Sequence, residues 1–221
     1  MDLRLISLSQ SDDLYYDQQD IMIDQQANRL GEIVQSNSDG FISQCYELYK
    51  APSIGTLVRA GVEHPVFGIV CHISTEGIHS DRKAIARGQN ETSVSELYSN
   101  NPQIAQLLVT NFEVVSLASS INNQIFYGLP PSPPKIHAFV FQCSQTELDQ
   151  FYSELDFLPL LAARSLSTLG QADELLVSSL KFMISSHSEP SNFTRELVSE
   201  LSKIFQTDLS RLKLLIRRLK L

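Results

Sequence analysis

At 221 residues, with 43% hydrophobic and 19% charged side chains, the chain holds enough apolar material for a packed core, which excludes wholesale disorder. A net charge of −8 argues against a protein whose whole surface grips nucleic acid. No apolar run approaches the roughly 20 residues of a membrane span. Met1-Asp2-Leu3-Arg4 lacks the basic head and long apolar stretch of a secretory leader. The three cysteines, Cys45, Cys71 and Cys143, are odd in number and far apart. They read as buried free thiols in a reducing compartment, so the expectation is a cytoplasmic protein.

Charge is unevenly placed. Residues 1–28 carry six Asp against Arg4, a net of −5, whereas residues 203–221 carry six Lys or Arg against Asp208, a net of +5. Either these are two solvated surfaces, or the ends meet each other or separate partners.

Residues 1–28 are rich in Ser, Asp and Gln and read as an acidic flexible arm, with a short strand or turn of helix around Ile21-Met22-Ile23. From Leu30 the texture changes to short β-favouring runs between turn residues. These are Leu30 to Gln35, Phe41 to Tyr49, Thr56 to Val58 before Gly61, and Val66 to Ile73 before Glu76-Gly77. Several short strands punctuated by Gly, Pro, Asn and Asp predict a small antiparallel barrel. Residues 29–143 are assigned to it, and Leu57, Val66, Phe67 and Phe112 are expected to fill it. A polar excursion is expected over residues 78–104. Asn101-Pro102 there fits an N-cap followed by proline at the first helical position, with Ile104, Leu107 and Leu108 at helical spacing.

Phe112 to Leu117 and Gln124 to Gly128 return to strand character. Pro130-Pro131-Ser132-Pro133-Pro134 must be extended and reads as a rigid connector. Ile136 to Phe141 is the last strand candidate. Beyond it the apolar period lengthens from 2 to 3.6, and residues 144–221 are assigned to a helical domain.

Ser144 with Glu147 fits a capping box ahead of Leu148, Phe151, Leu155 and Leu158. Leu175, Leu176, Leu180, Met183 and Ile184 mark a second helix, with Asp173 and Glu174 at its positive end. Ser191 or Asn192 can cap a third carrying Phe193, Leu197, Val198, Leu201 and Phe205. Asp208 can cap a fourth carrying Leu209, Leu212, Leu215, Ile216 and Leu219. Amphipathic helices of this kind cover one another, so the prediction is an α+β chain: a small β-barrel followed by a C-terminal helical bundle.

No motif sets up a reaction. The phosphate-cradling GxxxxGK[ST] is absent, as are GxGxxG and GxSxG. Cys71-His72 near His79 is the nearest thing to a metal constellation. Neighbouring strand residues point to opposite faces, however, and the spacings that define metal sites are missing. The expectation is therefore no enzyme, no cofactor and no metal. The last helix is more informative. Arg211, Lys213, Arg217, Arg218 and Lys220 leave its apolar stripe free and are the candidate partner-binding residues. They form a solvated face, a docking surface for an acidic protein, or a nucleic-acid contact. Arg195 to Lys220 has the outline of a helix-turn-helix, but the connection Phe205-Gln206-Thr207 lacks the usual Gly.

Leu30-Gly31-Glu32-Ile33-Val34 followed by Phe41-Ile42-Ser43 resembles the opening of the HAS-barrel domain, the small barrel of HerA-type translocases and rotary ATP synthase subunits. Gly55-Thr56-Leu57-Val58 and Val66-Phe67-Gly68-Ile69-Val70 resemble its later strands, and Pro130 to Leu148 its exit. The resemblance covers about residues 30–148. Those ATPases continue into a nucleotide-binding core, which this chain replaces with helices. It is most similar to stand-alone HAS-barrel proteins of the kind found in photosynthetic bacteria. The resemblance implies a role like the barrel's own: packing into an assembly or docking a protein partner, a further copy of the chain included. The expected function is a non-catalytic adaptor or assembly module, with the loop Ser36–Gly40 and the Asp81–Glu91 excursion as candidate contacts. The alternative is a nucleic-acid-binding protein using the basic last helix.

Overall fold

The computed structural model describes residues 28–78, 85–167 and 172–220. Among them are a seven-stranded antiparallel sheet and seven helices. The strands are β1 (Arg29–Ser36), β2 (Gly40–Cys45), β3 (Leu57–Ala60), β4 (Val66–Gly77), β5 (Leu108–Ile121), β6 (Gln124–Tyr127) and β7 (Phe139–Gln142). Two short helices, α1 (Val94–Asn100) and α2 (Pro102–Gln106), lie between β4 and β5. Five more follow the sheet: α3 (Gln145–Tyr152), α4 (Leu158–Ser167), α5 (Ala172–Ser186), α6 (Pro190–Ile204) and α7 (Leu209–Leu219).

The sheet order is β2-β1-β7-β3-β4-β5-β6, and β2 also pairs with β5. Strand β5 makes this possible by its length. Its middle, Asn111–Val115, pairs with β2 (Phe41 opposite Val114) and its last four residues with β6, while β4 runs along its other edge. Gly40 sits where β2 meets β5. A Cβ there would stand 2.0 Å from the Val114 carbonyl oxygen, so only glycine lets the two backbones approach.

Side-chain alternation sorts the strand residues onto two faces. Ile33, Phe41, Val58, Val70, Phe112, Val114 and Val140 form one apolar cluster on one face of the strands. Leu57, Phe67, Ile69, Leu117 and Ala118 point the other way and join Phe151, Phe157, Leu161, Leu176, Leu180, Leu197, Leu201 and Leu215 of the helical segment in one apolar cluster. Leu57 and Phe67 were expected to fill a barrel with Val66 and Phe112. The register of β3 and β4 turns them outward, where helices cover them. That is why β5 alternates up to Ser116 and is buried on both faces from Ser116 to Ser120. Helix α5 is the centre of the helical layer and touches α3, α4, α6 and α7. No helix among the described residues is long and apolar enough to cross a membrane.

Local chemistry explains most element ends. Ser144 caps α3, its hydroxyl accepting from the Glu147 N–H at 3.3 Å while Glu147 Oε2 accepts from the Ser144 N–H at 2.8 Å. Asp208 caps α7 through the Arg211 N–H at 3.0 Å. Elsewhere the expected limits shift. Strand β2 stops at Cys45, and Tyr49 takes a left-handed φ of 65°. Its N–H is instead satisfied by Thr110 Oγ1 at 2.9 Å. Ile104 and Leu108 do not share a helix: α2 ends at Gln106, and Leu108 enters the ladder opposite Gly77. The cap of α6 is Glu189 rather than Ser191 or Asn192, because Pro190, with no N–H to satisfy, fits the first turn. The acidic arm, apart from Asn28, lies outside the described residues.

Candidate interaction surfaces

Helix α7 presents its residues to three different environments. Leu212, Leu215 and Leu219 are buried and Ile216 is half-buried, so they face α5 and α6, the helices α7 touches. Leu209, expected on this stripe, is 59% exposed. Advancing about 100° per residue, Arg211 and Arg218 fall on one flank of the stripe and Lys213, Arg217 and Lys220 on the other. The first flank lies against the start of α5. Arg211 Nε and Nη2 both reach Asp173 Oδ1 at 2.8 Å, and its guanidinium lies 4.7 Å from the centre of the Phe205 ring. Arg218 pairs with Glu174. The acidic pair at the positive end of α5 thus serves as the anchor for α7.

Lys213, Arg217 and Lys220 are exposed. Arg217 lies in the last turn and Lys220 is the left-handed C-cap, where positive charge also suits the helix dipole. The five candidate residues therefore divide: two are internal fasteners and three form a solvent-facing cationic strip. This division is testable. Arg211→Ala leaves Asp173 unpaired at a largely buried site and should cost about 2 kcal/mol. Arg217→Ala should change stability by less than about 0.5 kcal/mol. Urea midpoints of the two variants measure the difference, and equal midpoints would contradict it.

A second surface takes in part of the Asp81–Glu91 excursion, and its other walls were not read from the sequence. Strands β4 and β5 run on past β2 as a two-stranded extension, Thr75–Gly77 against Leu108–Thr110. Helices α1 and α2 fold beside it and leave a cleft of about 900 Å³. Its walls include Ile78, Ile85, Leu97, Tyr98, Ile104 and Leu107, with Tyr49 at one side and Arg87 the single charged side chain among the described residues that line it. The Tyr49 and Tyr98 hydroxyls meet at 2.7 Å. Ile78, Ile85 and Leu107 are 51%, 75% and 54% exposed, a concentration of open apolar surface that calls for a covering. The signal was weak because these residues are scattered through a polar stretch. One local clue was available: Thr92-Ser93-x-x-Glu96 caps α1, with Ser93 Oγ accepting from the Glu96 N–H and Glu96 Oε2 from the Thr92 N–H.

The loop Ser36–Gly40, a candidate contact by sequence, is held in place by local bonds while Asn37, Ser38 and Asp39 stay exposed. Asn37 Oδ1 accepts from the Asp39 and Gly40 N–H groups, and the Asp39 carboxylate pairs with Arg164 of α4 at 2.8 Å. Of the other candidate contact, Asp81–Glu91, residues 81–84 lie outside the described residues and residues 85–88 line the cleft.

Among the described residues no group of three metal-ligating side chains comes together. His137 pairs with Glu32 at 3.2 Å and His187 stacks on Phe193; His79 lies outside the described residues. The three cysteines are free. Burial pushes the Cys45 and Cys71 thiols up to about 11 and Cys143 higher still, so none is a ready nucleophile at neutral pH.

No family model matches this chain, and no curated protein matches it.

Proposed function

We propose that this chain is a non-catalytic adaptor or assembly module that docks an acidic protein partner through the cationic strip of α7. The observation that carries the reading is the split on that helix. Arg211 and Arg218 are held by carboxylates of α5, while Lys213, Arg217 and Lys220 stand exposed on the opposite flank. Two ion pairs already fix the backbone of the helix, so binding costs chiefly the rotamer freedom of the three exposed cations.

The platform behind the strip is read as a small closed barrel of the HAS type, followed by a helical bundle. Pairing of β2 with both β1 and β5 supports the closed form, since such a cylinder leaves few strand edges exposed. The three free thiols support a cytoplasmic setting.

The test is capture from native extract with tagged full-length chain, beside the same chain carrying Lys213→Glu, Arg217→Glu and Lys220→Glu. The native chain should retain a stoichiometric acidic partner. The variant should lose it while its stability moves by less than about 0.5 kcal/mol per site. No partner, or one that survives charge reversal, sinks the proposal.

The same strip supports a second reading, nucleic-acid binding. It predicts mobility shifts at low salt whose affinity falls with a log–log slope of about −3, one counterion per cation. The acidic overall charge favours the protein partner.

A further inference from the structure

We propose that the apolar cleft beside β4 and β5 is the seat of this chain's own N-terminal segment, with Ile21, Met22 and Ile23 lying against Ile78, Leu97, Ile104 and Leu107. This inference is independent of the cationic strip and concerns the opposite part of the sequence.

Topology places the two elements at one end of the sheet. The Asn28 carbonyl accepts from the Gln142 N–H at 3.0 Å, so the chain enters β1 beside the end of β7. Strand β1 is antiparallel to β2, β2 to β5, and β5 to β4. The start of β1, the end of β2, the start of β5 and the end of β4 therefore share an edge, which is where the cleft opens. Crossing from β1 to β4 takes three strand spacings, about 14 Å along the sheet. From Asn28 back to Ile23 is five residues, with a reach of about 17 Å; back to Ile21 it is about 24 Å. The apolar triplet is thus the right distance upstream.

Chemistry agrees with reach. Residues 1–27 are otherwise mostly polar, and Ile21-Met22-Ile23 is their run of three aliphatic side chains nearest to β1. The cleft offers four apolar walls and a pair of tyrosines. Asp20 and Asp24 bracket the triplet, and among the described residues of the lining Arg87 is the one that carries a charge. Seating the triplet would place a carboxylate at each end of it, beside a cleft to which Arg87 brings a positive charge. Sequence continuity makes the encounter intramolecular, so a short apolar run suffices.

Hydrogen–deuterium exchange of the full chain tests this, compared with the full chain carrying Ile21→Asp, Met22→Asp and Ile23→Asp. Amides from Leu97 to Leu107 should exchange about tenfold faster in the variant, as expected if the segment is seated about nine-tenths of the time in the native chain. Exchange in α5 to α7 should not change. Leu107→Asp, at an already exposed position, should reproduce the effect from the cleft side. Protection in the native chain should also survive a roughly hundredfold dilution, because an intramolecular contact does not follow mass action. Equal exchange in native and triple-Asp chains overturns the proposal. Protection lost on dilution overturns it too, by assigning the cleft to a second copy.

Discussion

Phe151→Ala should lower the stability of the whole chain by about 3–5 kcal/mol, the usual result of emptying a large aromatic site in a core. Phe151 is fully buried. Its ring centre lies 5.6 Å from Phe67 of β4, 5.5 Å from Tyr127 of β6, 5.6 Å from Tyr152 and 4.9 Å from Phe157. Its carbonyl accepts from the Tyr127 hydroxyl at 2.7 Å. Burial holds that phenol neutral, pushed up to about 12. One ring therefore joins sheet to helices. The informative measurement is calorimetry. With a shared cluster, native chain and variant should each unfold in one transition, the variant's displaced downward. A variant whose sheet melts at the native temperature after its helices have gone would show two independent units.

The second large effect is expected at Arg59. Its Nε reaches Glu147 Oε1 at 2.5 Å, its Nη1 donates to the Gly61 carbonyl at 2.9 Å, and its guanidinium covers the Phe141 ring at 4.3 Å. The Arg59 and Glu147 side chains are 12% and 28% exposed. Arg59→Met should cost about 2–4 kcal/mol, chiefly because the Glu147 carboxylate is left without its counter-charge in a poorly hydrated site. Glu147→Gln in the same chain should recover much of that loss: glutamine still accepts from the Ser144 N–H, so the cap of α3 survives. A double-mutant cycle in urea measures the coupling. Simply additive losses would show that the pair contributes nothing specific.

What could be read from the residues was local. The capping box at Ser144 and Glu147, the Asp208 cap, Pro102 at the start of α2 and the strand-favouring runs from Leu30 to Phe141 all follow from one or two neighbouring residues. These devices satisfy backbone groups within a single turn and need no distant partner. The limits that shifted, at Cys45, Leu108 and Glu189, did so where the backbone found partners elsewhere in the chain or a proline pre-empted the expected cap.

The interaction surfaces were legible only in part. Five cations near the C-terminus were evident from spacing, because a helical period sets which residues share a flank. Which of them remain available to a partner was not, since Asp173 and Glu174 lie some forty residues away along the chain. The cleft was less visible still, assembled from Tyr49, Ile78, Leu97 and Leu107 across four separate segments.

Amino-acid order by itself determined the alternation of strands and helices, their caps and the opposite charge of the two ends. Tertiary structure alone decided that Leu57 and Phe67 face the helices, that Gly40 brings β2 against β5, and that Arg211 and Arg218 are spent on internal pairs. The reason is one of range: capping and periodicity act over a few residues, whereas burial and charge pairing depend on which surfaces meet once the chain has collapsed.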